Sequence, residues 1–75
     1  MPRIVPLPWE HLVRIFERDG FRIIREHGDH LVLTKTGIAR PLVIPKYHAV
    51  PVFIIKNNLR SAGLSRERFF ELLQE

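Results

Sequence analysis

A chain of 75 residues with 45% hydrophobic and 27% charged side chains has an ordinary globular composition, enough for one small core and too little for a large cofactor cavity. Cysteine is absent, which excludes disulfides, thiolate metal sites and a cysteine nucleophile, and no run approaches the roughly 18 apolar residues of a membrane-spanning helix. A formal net charge of +4 points toward an acidic partner such as nucleic acid.

The opening run Met1-Pro2-Arg3-Ile4-Val5-Pro6-Leu7-Pro8 holds no long apolar segment of signal-peptide type, so a cytoplasmic location is expected. Its prolines keep the segment out of helix until Pro8, which suits a first helical turn because its missing N–H would be unpaired there anyway. From Trp9 to Asp19 the apolar residues Trp9, Leu12, Val13, Ile15 and Phe16 recur mostly at three- and four-residue spacing, which predicts a helix stopped by Gly20.

Phe21 to Glu26 reads as a strand, His27-Gly28-Asp29 as a tight turn built on Gly28, and His30 to Thr36 as a second, antiparallel strand. Gly37 marks the next turn. Arg40 to Lys46 then forms a third strand, with Pro41 and Pro45 near its ends, where a missing ladder donor costs least. Tyr47 to Val50 is a loop, and Pro51 opens a second helix that runs to Ala62 on a face of Val52, Ile55, Leu59 and Ala62. The β-branched run from Val50 to Ile55 would also suit a strand. Gly63 closes that helix, and Ser65 caps a short third one whose buried face is Phe69, Phe70, Leu72 and Leu73.

The expected architecture is a single α+β domain over residues 1–75, ordered α-β-β-β-α-α, with the helices on one face of a three-stranded antiparallel sheet. The other face stays open. Along the second strand, Leu31, Leu33 and Lys35 share one side while His30, Val32 and Thr34 share the other. Leu31 and Leu33 offer the better apolar cover for the helices, so His30 is expected on the open side.

From His30 to Arg66 there is no Asp or Glu, whereas Lys35, Arg40, Lys46, Lys56, Arg60 and Arg66 all fall there. Such a stretch is either a solvated surface or a field for a polyanion. His30 and His27 could be read as a metal pair, but with no cysteine and only the scattered His11 and His48 to complete a shell, no metal or other cofactor is expected. Trp9, Phe16, Phe53, Phe69 and Phe70 fall in predicted helices and read as core, which leaves Tyr47 as the aromatic candidate for base stacking.

Taken in order, these segments resemble the HicA-type toxins of bacterial and archaeal toxin-antitoxin pairs. The likeness spans nearly the whole chain: a first helix ending Asp19-Gly20-Phe21, then Gly28-Asp29-His30 in the place of Gly-Ser-His, then Val43-Ile44-Pro45 with His48 close behind. It continues through Leu59-Arg60-Ser61-Ala62-Gly63-Leu64-Ser65 to Phe69-Phe70-Glu71-Leu72-Leu73. Asp29 stands where those toxins have Ser, and Pro45-Lys46-Tyr47-His48 is one residue longer than their Pro-x-His arrangement.

The resemblance implies a double-stranded-RNA-binding-like fold, endoribonuclease activity on mRNA with His30 as the catalytic residue, and a HicB-type antitoxin protein as partner. Lys35, Arg40, Lys46 and His48 are the candidate RNA-binding residues, and Gly28 the turn residue that places His30. The competing readings are a non-catalytic RNA-binding module of the same fold, and a protein-interaction domain without a nucleic-acid role. Oligomeric state is not legible.

Overall fold

In the computed structural model, which describes residues 3–75, the chain runs α1 (Trp9–Arg18), β1 (Arg22–His27), β2 (His30–Thr34), β3 (Leu42–Pro45), α2 (Val52–Ala62) and α3 (Arg66–Leu73). This is the expected α-β-β-β-α-α order. Met1 and Pro2 of the proline-rich opening lie outside the described residues. Among the described residues no helix is long and apolar enough to cross a membrane.

α1 starts where the Pro8 carbonyl accepts from the N–H groups of His11 and Leu12, and α2 starts in the same way where Pro51 accepts from Ile54 and Ile55. Both prolines have extended ψ values, 145° and 152°, so each caps its helix from outside rather than occupying the first turn. The ring fixes φ but leaves ψ free, which allows either placement. Ser65 caps α3 as expected, its hydroxyl accepting from the Arg68 N–H at 3.0 Å.

The three strands form one antiparallel sheet in the order β1-β2-β3. β1 starts one residue later than expected and ends one later. Phe21 is drawn into the core, edge-on to Phe16 at 5.5 Å between ring centres, while His27 pairs with His30. The turn is therefore only Gly28-Asp29, with a positive φ at its first residue alone (Gly28, +60°), the pattern of a type II′ hairpin turn. β2 stops at Thr34 and β3 spans only four residues, because Pro41 and the bend at 39–40 keep the chain out of the ladder before Leu42.

The core lies on the helical side of the sheet. Leu31, Leu33, Leu42 and Ile44 are buried there against Leu12, Ile15 and Phe16 of α1, Ile55 and Leu59 of α2, and Phe69 and Leu72 of α3. α2 resolves as helix from Val52, since Val50 is taken by an isolated antiparallel bridge to Leu7. Its buried face is Ile55, Asn58, Leu59 and Ala62, with Val52 only partly covered. Asn58 thus holds a core position, and its amide nitrogen has no hydrogen-bond partner among the described residues. Phe53 is not core. Its side of the helix faces away from Ile55 and Leu59, leaving it 65% exposed.

Candidate active site on the open face of the sheet

Alternation along β2 sends Leu31 and Leu33 into the core and His30, Val32 and Thr34 to the other side, where His30 is exposed. Register with the neighbouring strands completes that surface. His30 lies between His27 of β1 and Pro45 of β3, Val32 between Arg25 and Val43, and Thr34 beside Arg22. The open face therefore carries His27, His30, Arg25 and Arg22 around a small apolar patch of Val32 and Val43.

The imidazole of His30 is held by its own neighbour. Its Nδ1 is 2.8 Å from Oδ1 of Asp29, with the two side chains 46% and 73% exposed. A carboxylate at that distance favours the tautomer that carries its proton on Nδ1, which leaves the Nε2 lone pair unused in the neutral ring. The Asp29 backbone is fixed in turn, its carbonyl accepting from the Lys46 N–H at 2.8 Å. The result is an accessible base beside a carboxylate, built on a hairpin end that two strands and the following loop all pin.

The expected cationic partners are distributed differently. Lys46 sends its ammonium to the helical side, where it pairs with Glu26, the register partner of core-facing Leu31, and lies 5.8 Å from the centre of the Trp9 ring. Lys35 is also on the helical side, 3.0 Å from Asp19 and above the Phe21 ring. It stands five residues along the chain from His30, roughly 16 Å at strand rise. Arg40 is exposed in the connection before β3, at the same far end.

His48 is exposed in the loop that follows Pro45, the residue opposite His30, and so lies at the His30 end of the sheet. That loop is tied down where the Trp9 N–H reaches the Tyr47 carbonyl at 3.1 Å and where Leu7 and Val50 bridge. Tyr47 is exposed in the same loop. Of the sequence-derived set, then, His30, Gly28 and His48 share one end of the sheet, Lys46 joins them only through its backbone, and Lys35 and Arg40 are elsewhere.

Arg22 and Arg25 were not legible as members of this face. A regular strand alternates, and residues three apart point to opposite sides. The register slips between Ile23 and Arg25, where Ile24 is the extra residue of a bulge, and the two arginines emerge on one side. Among the described residues no three His, Cys, Asp or Glu side chains converge as a metal site.

The chain was compared with known proteins. No curated protein matches it significantly. The sequence model described as the HicA toxin of bacterial toxin-antitoxin systems matches residues 9–64, from the first residue of α1 through the Gly28-Asp29-His30 turn to just beyond α2. A match over that share of the chain, on a structure with the expected element order, shows that the protein belongs to the HicA toxin family.

Proposed function

We propose that this toxin is a metal-independent endoribonuclease that cleaves mRNA, with His30 as its catalytic residue. The observation that carries the reading is the accessible imidazole on the open face, with the Asp29 carboxylate 2.8 Å from Nδ1 and Nε2 left to take a proton. RNA supplies its own nucleophile. Nε2 removes the proton of a 2′-hydroxyl, the 2′-oxygen bonds to the adjacent phosphorus, and the bond to the 5′-oxygen breaks, with water protonating the departing oxygen. The products are a 2′,3′-cyclic phosphate and a 5′-hydroxyl, and the imidazolium returns its proton to solvent.

Asp29 contributes in two ways. It fixes the ring, and its charge stabilises the imidazolium formed during the reaction, as a carboxylate does in other histidine-based sites. The toxin role implies an antitoxin, and a HicB-type protein with acidic groups would be drawn to this basic surface and would cover His30.

The test is cleavage of a single-stranded RNA by purified protein in the presence of a chelator. His30→Ala is expected to lower the rate about 10²–10⁴-fold, the usual contribution of proton transfer by a positioned side chain. The thermal transition should hardly move, since the side chain is exposed. Unchanged cleavage by that variant overturns the assignment. Intact RNA with wild-type protein, together with binding, would favour the non-catalytic RNA-binding module.

A further inference from the structure

The acid-free stretch from His30 to Arg66 is the obvious place to look for an RNA-binding surface, yet two of its cations are already neutralised. Lys35 is paired with Asp19 and Lys46 with Glu26, both acids lying upstream of the stretch. Arg22 and Arg25 of β1 differ. Both are exposed, and neither forms an ion pair among the described residues. A free guanidinium keeps its charge and its hydrogen-bond donors for a ligand, and its planar fork suits a phosphate.

The bulge decides where these charges go. Without it, a regular ladder running back from the His27–His30 pair would set Ile24 opposite Leu33 and Ile23 opposite Thr34. Arg22 would then point to the helical side. With Ile24 as the extra residue, Ile23 opposes Leu33 and Arg22 opposes Thr34, so Arg22, Arg25 and His27 project on the face that holds His30. Along a strand the spacing of same-face residues is about 6.6 Å, close to the spacing of successive phosphates in an extended single strand.

We propose that Arg22, Arg25 and His27, brought onto one face of β1 by the Ile24 bulge, form a track for the backbone phosphates of single-stranded RNA that leads the chain to His30. The inference rests on the endoribonuclease reading for its end point, but it concerns binding, which is measured separately. Val32 of β2 and Val43 of β3, beside the track, give an apolar floor against which sugars and bases pack.

The experiment uses the full chain carrying His30→Ala, so that RNA is not consumed, and a labelled single-stranded RNA oligonucleotide titrated at several salt concentrations. Each phosphate contact on a single strand contributes about 0.7 to the slope of log K against log salt. Arg22→Gln with Arg25→Gln should flatten the slope by about 1.4. Arg14→Gln with Arg60→Gln, exposed arginines on α1 and α2, removes the same charge and should leave the slope near the parent value.

A second variant keeps composition and charge. Exchanging the residues as Arg22→Ile with Ile23→Arg moves one guanidinium to the other side of β1, and should flatten the slope by about 0.7. Equal slopes for the β1 pair and the helix pair overturn the track, as does an absence of salt-dependent RNA binding by the parent. Cleavage that survives His30→Ala overturns the catalytic reading instead, and leaves the binding result standing.

Discussion

β1 and β3 are the two edges of one sheet, and the fold uses them in opposite ways. In β3, Leu42 and Ile44 are fully buried, and both α1 and α2 pack against the strand. In β1 all six residues are exposed, and the strand is held through its ladder with β2 and the contact of Glu26 with Lys46. An edge that owes nothing to the core is free to carry charge and to break register. β1 does both, with a bulge and two arginines that form no ion pair among the described residues, features that also discourage edge-to-edge association. Stability is thus concentrated at one edge and exposed charge at the other.

The sharpest way to break that division is to truncate the β3 side. Ile44→Ala removes a fully buried side chain between Leu31 and the helices, and is expected to cost about 2–5 kcal/mol. For a domain of this length the whole stability is only about 4–11 kcal/mol, so the midpoint of thermal unfolding should fall by at least about 10 °C. A loss under about 1 kcal/mol in urea unfolding would mean that β3 is not the strand that anchors the sheet.

Much of the stable half is legible in the sequence. The spacing of Leu12, Val13, Ile15 and Phe16 specifies α1, and Gly20, Gly63 and Ser65 mark helix ends for steric and hydrogen-bonding reasons that hold in any context. Alternation also placed His30 correctly on the open side. The exposed half was read less well, because no burial constrains it. Nothing in Arg22-Ile23-Ile24-Arg25 announces a bulge, since either isoleucine could face the core, and only pairing with Leu33 and Val32 selects one. The ion pairs of the acid-free stretch were not legible for a related reason: pairing of charges is set in three dimensions, and Asp19 and Glu26 reach into that stretch from outside it. Phe53 misled too, because aromatic character says core more firmly than the 3.6-residue period does, and the period was right.

A smaller effect belongs to the hairpin end that joins β1 to β2. Replacing Asp29 with Ala removes the partner of His30 Nδ1 but leaves the imidazole in place. Because both side chains are substantially exposed, the contact contributes no more than about 1 kcal/mol, and RNA cleavage should slow by no more than about fivefold. Thermal stability should hardly change. Asp29→Ser, which restores the residue usual in these toxins, should keep more of the rate than Asp29→Ala because a hydroxyl can still accept from Nδ1–H. Equal rates for wild type and both variants would mean that orientation by residue 29 plays no part.

The smallest expected effect is at Ile23, and it is the most direct probe of the exposed edge. Ile23 sits on the helical side of β1 by register, opposite Leu33, and yet is 44% exposed because the helices do not extend over this strand. Thr keeps the β-branched shape that suits a strand and puts a hydroxyl in place of the ethyl arm, which at this exposed position gives up little apolar contact. Ile23→Thr should therefore cost no more than about 0.5 kcal/mol, a shift of about 2–4 °C at most in the thermal midpoint. The side chain faces away from His30, so RNA cleavage should be unchanged. A loss of 2 kcal/mol or more would place Ile23 in the core after all, which would require β1 to close down on the helices. The bulge would then serve packing first, and the alignment of Arg22 and Arg25 would follow from stability rather than from the needs of RNA.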